Sequence, residues 1–271
     1  MRIELAQLPC VDGHTEENLA QALAAIGRCT PETDLIVFPE TFLSGFPTPD
    51  NVRALSQALD GPLLTAVGAA ARAQGVSVAI GLAEAHRGRF FNTTVLLTPQ
   101  GLALTYRKIH MWASDQGVFS PGDRVASCAW QGLQVGALIC YDIEFPESAR
   151  ALGALGGELL IVTDGNMDPY GPVHRRAIVA RAMENQMFAV LVNRCGSGGP
   201  YRFPGESVVV DPYGEIIAEC SADAEQRVVD IDPALLVRCR DAYDYRKERR
   251  IPLGGKVCEQ PDGSRAFVID I

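Results

Sequence analysis

The stretch "VGALICYDIEFPE", residues 135–147, decides how this chain is to be read. Val135, Gly136, Ala137, Leu138 and Ile139 form an unbroken apolar run, as expected of a strand covered on both faces of a sheet. The run stops on Cys140, and Asp142, Glu144 and Glu147 crowd in behind it. Pro146 suits a first helical turn and Glu147 complements its positive end, so the stretch predicts a strand, a tight turn and a helix. In open α/β sheets reacting groups gather at the carboxyl ends of strands, and a tight strand-to-helix turn pushes its side chain outward. Cys140 occupies that corner, and the backbone N–H of Tyr141 is placed to face a developing oxyanion. A single cysteine is more often a small core filler, so its company from elsewhere in the chain has to decide.

Outward from this stretch, apolar runs alternate with helical patterns, which predicts stacked α and β layers. "RIELAQL" reads as a strand, "TEENLAQALAAIGRC" as a helix opening on His14 or Thr15, and "DLIVF" as a short buried strand. "LLTAVGAAARAQG" is a helix ending at Gly75, and "VSVAIGLAEA" and "FFNTTVLLTP" form a hairpin across "HRGR". "GLALTYRK" follows as a strand. The second half repeats the scheme with "LQVGALIC", "FPESARALGALGG", "ELLIVTD", "PVHRRAIVARAMENQ" and "FAVLVNRC", then three strands around the Pro-Tyr-Gly turn at 212–214. No Pro/Ser-rich linker divides the chain, so residues 1–271 are expected to form one domain of two similar βα halves.

With 271 residues, 47% of them apolar, the chain has enough material for a full core. A net charge of −9 argues against broad nucleic-acid binding, because no basic stripe is present to displace counterions. No run approaches the ~18–20 apolar residues of a membrane span, and no leader pattern is evident, so a cytoplasmic location is expected. Eight scattered cysteines without C-x-x-C spacing read as reduced thiols, and four histidines without H-x-x-x-H spacing give a zinc site little support. Neither a metal nor a cofactor is expected.

A thiol becomes a nucleophile when a base takes its proton or a cation stabilises its thiolate. Two other strand ends offer such groups. In "DLIVFPETFLSGFP" Glu40 follows a buried run directly, either as a solvated loop residue or as a carboxylate in a partly dry pocket. In "LTYRKIH" Arg107 and Lys108 are adjacent, so on a strand one faces water and the other faces inward.

The ordered set "FPE" (38–40), "YRKIHMW" (106–112) followed by "FSPG", and "LICYDIEFPE" (138–147) resembles the nitrilase, or carbon–nitrogen hydrolase, superfamily. "RAMEN" (181–185), "VNRCG" (192–196) and "GESVVVDPYGE" (205–215) extend the resemblance over nearly the whole chain. It implies a four-layer α-β-β-α sandwich and a catalytic set of Glu40, Lys108 and Cys140, with Lys108 and the Tyr141 N–H binding the oxyanion. Where many members carry a second glutamate this chain has Asp115, one methylene shorter. "CYDIEFPE" resembles the branch of small aliphatic amidases, which implies hydrolysis of a primary carboxamide to acid and ammonia. Carbamoylase or nitrilase action is the alternative within the family, and a scaffold that binds a metabolite or partner with weakened turnover is the alternative outside it.

Phe46, Trp112, Glu144, Asp164 and Asn166 are candidate pocket residues on the loops that follow strands. His174 with Cys140 would make a protease-type dyad, but a histidine on an amphipathic helix is more often a surface or core residue. "GSGGP" (196–200) lacks the Lys-Ser/Thr of a phosphate loop. By resemblance, residues 233–271 form a C-terminal arm that touches a neighbouring subunit of a homodimer or larger homo-oligomer, and its tyrosines and arginines are residue types favoured at interfaces.

Overall fold

A computed structural model describes residues 1–251 and 254–268. In chain order the strands are β1 (Arg2–Gln7), β2 (Leu35–Val37), β3 (Ser77–His86), β4 (Arg89–Thr98), β5 (Gly101–Arg107), β6 (Arg124–Trp130), β7 (Leu133–Ile139), β8 (Leu159–Asp164) and β9 (Phe188–Asn193). They continue with β10 (Cys195–Gly198), β11 (Tyr201–Pro204), β12 (Val208–Val210), β13 (Ile216–Glu219), β14 (Glu225–Asp230), β15 (Lys256–Glu259) and β16 (Arg265–Val268). The helices are α1 (Thr15–Gly27), α2 (Val52–Leu55), α3 (Pro62–Gln74), α4 (Pro146–Ala154), α5 (Gly171–Asn185), α6 (Ala234–Ala242) and α7 (Tyr245–Glu248).

One sheet runs β14-β1-β2-β3-β4-β5 and the other β13-β12-β9-β8-β7-β6-β16-β15. Each has three parallel strands at its heart, β1-β2-β3 in the first and β7-β8-β9 in the second, with antiparallel strands outside them. Parallel neighbours need a crossover long enough for a helix, and α1, α3, α4 and α5 lie in the chain segments that supply it. This is the expected repetition of a βα scheme.

Strand alternation builds the layers. Ile36, Val78 and Ile80 face Ala22, Ile26, Leu64 and Val67 of α1 and α3. Leu35, Val37 and Ala79 point the other way, into a core shared with Val135, Leu138 and Ile161 of the second sheet and with Leu152 and Ile178 of α4 and α5. The result is the four-layer α-β-β-α sandwich. Each fully buried Leu, Ile or Val contributes about 1.5–3 kcal/mol, and the parallel strands are buried along nearly their whole length.

Local signals hold up where they rest on stereochemistry. Gly75 ends α3 in the left-handed region at φ 72°, and the β3–β4 turn falls on Arg87 and Gly88, both with positive φ, as a two-residue hairpin of this twist requires. All eight cysteines are free, and seven are buried. Strands β6, β10, β11, β15 and β16 were not assigned from the sequence. "RVASCAW" in β6 is rich in Ala, Ser and Cys and becomes a strand because β7 and β16 pair with it on either side. Residues 265–268 therefore pair with the chain's own second sheet, Phe267 opposite Val125, while residues 252–253 and 269–271 of the expected arm lie outside the described residues. Among the described residues no helix is long and apolar enough to cross a membrane.

Candidate active site

Four strand ends converge on one narrow cavity. Glu40 follows β2, Lys108 follows β5, Cys140 follows β7, and Gly165 follows β8. Glu40, Lys108 and Cys140 all line that cavity and all are buried, so the three groups expected to meet do meet.

Backbone constraint sets each group in place. Cys140 sits at φ 46° and opens a short 3-10 turn, Cys140–Glu144, before α4 begins at Pro146. Thr41, directly after Glu40, lies at φ 43°. A non-glycine residue in this region costs of order 1–3 kcal/mol, and such residues cluster at functional sites. The Glu40 turn is held against β3 because Gly81 has no side chain there: a Cβ would lie 2.3 Å from Thr41 N. The Glu40 N–H donates to the Asp164 carbonyl at 3.1 Å, which ties the first sheet to the second at this point.

Asp142 clasps the Lys108 segment to the Cys140 turn. Its carboxylate accepts from Tyr106 Oη at 2.8 Å, from the His110 N–H at 2.9 Å and from the Ile139 N–H at 3.2 Å. It neither caps α4, whose N-cap is Phe145, nor pairs with an arginine. Of the adjacent basic pair, Lys108 is the inward member. Arg107 lies over the Phe91 ring and donates through Nε to Glu84 at 2.8 Å.

Lys108 Nζ donates to Glu40 Oε1 and to Asp115 Oδ2, each at 2.7 Å. The shorter Asp115 side chain reaches because the turn Ala113–Asp115 brings it inward, where it also accepts from the Trp112 N–H at 3.0 Å. Burial opposes the Lys108 charge, but Glu40, Cys140 and Asp115 outweigh it and hold the ammonium's pKa well above its ordinary value. Glu40 Oε1 also accepts from Asn92 Nδ2 at 2.7 Å, whereas Oε2 is buried with no hydrogen-bond partner among the described residues. Burial raises the Glu40 pKa, Lys108 opposes the rise, and Asp115 adds to it. Burial, reinforced by Glu40, also pushes the Cys140 thiol well above its ordinary value despite Lys108. Glu40 Oε2, buried and without a hydrogen-bond partner among the described residues, lies in the same pocket.

Gly165 completes the arrangement. A Cβ at this position would lie 2.6 Å from Glu40 Oε2 and 2.4 Å from Phe46 Cζ.

Phe46, Trp112, Glu144 and Asn166 line the cavity as expected. Asp164 stands just behind the lining, its carboxylate accepting from the Gly165 N–H at 2.9 Å and meeting His174 Nδ1 at 2.9 Å. His174, set aside from the sequence, lines the cavity, and its Nε2 meets Glu144 Oε1 at 3.1 Å. One atom each of Cys140, Asp164 and His174 lie within 4.8 Å of one another. Both imidazole nitrogens are engaged by carboxylates, which leaves neither free to accept the thiol proton, so the geometry does not make a protease-type dyad. Burial works against the imidazolium, but Asp164 and Glu144 raise its pKa to about 9. Asn92 was also missed; its signal was an amide in the middle of an otherwise apolar and threonine-rich strand.

This fold and this gathering of Glu, Lys and Cys at strand ends define a carbon–nitrogen hydrolase: the model of that family matches residues 2–241, and the chain belongs to it as an enzyme. Among its relatives, an (R)-stereoselective amidase from a Pseudomonas species is 51% identical over 99% of this chain and 98% of its own length. The crystal structure of an amidase from a Nesterenkonia species superposes with a TM-score of 0.83 at 27% identity, covering 92% of this chain and 93% of the other. A glutamate-to-glutamine, cysteine-to-alanine double mutant of the Nesterenkonia amidase has been solved with acrylamide bound (TM-score 0.83, 27% identity, 92% and 94% covered).

Proposed function

We propose that the chain hydrolyses a small primary carboxamide to a carboxylic acid and ammonia through a thioester on Cys140. The observation that carries this reading is the division of labour on Glu40: Oε1 is saturated by Lys108 and Asn92, while Oε2 is unpartnered and beside Gly165. Glu40 Oε2 takes the proton from Cys140 Sγ as the sulfur attacks the amide carbon. The carbonyl oxygen becomes an oxyanion held by Lys108 Nζ and the Tyr141 N–H. The C–N bond then breaks as Glu40 returns the proton to the leaving nitrogen. Water gives a proton to Glu40 and its hydroxyl to the thioester carbon; the C–S bond breaks, and Sγ takes the proton back. Asp115 and Asn92 touch Lys108 and Glu40, so they position the two reacting groups.

Mixing the protein with short primary amides and weighing it intact tests this reading. An acyl adduct on Cys140, with ammonia release that stops after thiol alkylation, is expected; turnover that survives alkylation would overturn it.

Eight free cysteines, seven of them buried, support a reducing, cytoplasmic setting for a single catalytic domain. Exposed Val237, Tyr243 and Tyr245 support a homo-oligomer joined through the arm that begins at residue 233. A light-scattering mass of one chain would count against that assembly.

A further inference from the structure

The catalytic slot is too small for a whole substrate. Its free volume is about 20 Å³, room for one or two water-sized groups, which matches the oxygen and nitrogen of a carboxamide and little else. A second cavity of about 340 Å³ adjoins it and shares Phe46, Ser114 and Met167 with it. Its walls are mainly apolar: Phe46, Pro47, Pro49, Met167, Pro200 and Phe203. For scale, an apolar cavity of about 150 Å³ holds a benzene molecule.

This annex is built rather than incidental. Phe46 and Phe203 stack at 6.0 Å with their planes 13° apart, and Arg194 lies beneath both, 5.4 Å from one ring and 4.0 Å from the other. The Arg194 side chain is fully buried, held by Asp12 Oδ1 at 2.9 Å and the Cys10 carbonyl at 2.8 Å. Asp12 Oδ1 also accepts from the Phe46 N–H at 3.0 Å. One ion pair thus fixes both the loop after β2 and the β10–β11 hairpin, which together wall the annex. Arg194 does not line the annex and its charge is matched by Asp12, which does, so the annex presents no cation to an anionic group.

We infer that the annex between the loop after β2 and the β10–β11 hairpin is the acyl subsite, and that it takes an uncharged, apolar acyl group of five or more carbons or an aryl group. The inference rests on the reading of the chain as a primary-carboxamide hydrolase, in which ammonia leaves and only the acyl side remains to be housed. Such amides become preferred because burial in the annex lowers the transition state as well as the ground state.

The test compares kcat/KM for propanamide, hexanamide, 3-phenylpropanamide and the anion adipamate, together with N-benzylacetamide, which carries its bulk on the nitrogen. Each buried methylene gains about three- to fourfold, so hexanamide should exceed propanamide by about 30- to 60-fold. Adipamate and N-benzylacetamide should show no such gain. Thr48→Trp and Pro200→Phe, at the exposed rim, should lower the hexanamide-to-propanamide ratio at least tenfold, whereas a folding defect would lower both rates together. Propanamide and hexanamide within threefold of each other, or a preference for N-benzylacetamide, would overturn the acyl assignment. If no amide releases ammonia, the proposed function fails separately, and the annex is judged by binding to the Cys140→Ala variant. Hexanamide is then expected to bind at least tenfold tighter than propanamide, and equal affinities would overturn the subsite.

Discussion

Lys108 Nζ stands 2.7 Å from Glu40 Oε1 and leaves Oε2 of the same carboxylate without a partner in the pocket that holds Cys140. One residue thereby acts as the lysine's counter-ion through one oxygen and remains available as a base through the other. A buried charge without a partner costs several kcal/mol, so the lysine and the two carboxylates that meet it form one unit.

Cys140→Ala should reduce amide turnover by at least about 10³-fold, because the intermediate has no sulfur on which to form. Far-ultraviolet circular dichroism should be unchanged. Residual turnover near the wild-type rate would remove Cys140 from the mechanism.

Glu40→Gln should lower kcat by about 10²–10⁴-fold, the usual contribution of a positioned general base. Asn92→Ala, which frees Glu40 Oε1 from one of its two donors, should reduce kcat by about tenfold with KM little changed. A larger change in KM than in kcat would mean that Asn92 binds substrate instead of orienting Glu40.

Asp115→Asn should move the acid limb of kcat/KM to lower pH. Burial raises the Glu40 pKa and Asp115 adds to the rise, so the base becomes competent only at a pH above the ordinary carboxylate value of 4.5. Removing the Asp115 charge removes its upward push and strengthens the opposing pull of Lys108, and both changes act downward. An acid limb that stays in place would separate that limb from Glu40.

His174→Gln should destabilise the protein most below about pH 6.5 and progressively less as pH rises through about 9. The ordinary imidazole value is 6.5 and the folded value is raised to about 9. The stabilisation from protonating His174 is therefore fully present below the unfolded value and is lost as pH passes the folded one. Urea midpoints compared near pH 6 and pH 10 should differ from wild type by an amount equivalent to about 1.5–3 kcal/mol at the lower pH only. An equal gap at both values would mean that the imidazolium charge contributes nothing.

Gly165→Ala should reduce kcat and cost about 1–3 kcal/mol of stability, the range for an overpacked site, because the added methyl falls 2.4 Å from Phe46 Cζ and 2.6 Å from Glu40 Oε2. Wild-type kinetics in this variant would show that the Phe46 ring yields at no cost to the carboxylate.

The sequence by itself determined the layers and which polar side chains stand at the strand ends. Period-two and period-3.6 patterns and turn glycines such as Gly75 and Gly88 report local stereochemistry, and each strand that ends in Glu40, Lys108 or Cys140 carries its signal within a few residues. Only the tertiary structure decided what those groups face. Asp115 reaches Lys108 across seven residues and Asp164 meets His174 across ten only because the turns between them bring the side chains round, whereas Asn92 reaches Glu40 Oε1 from 52 residues away. The annex depends on Arg194 crossing to Asp12. Side-chain partnership across sheets is set by packing distance and desolvation, and neither is written into the order of residues along one strand.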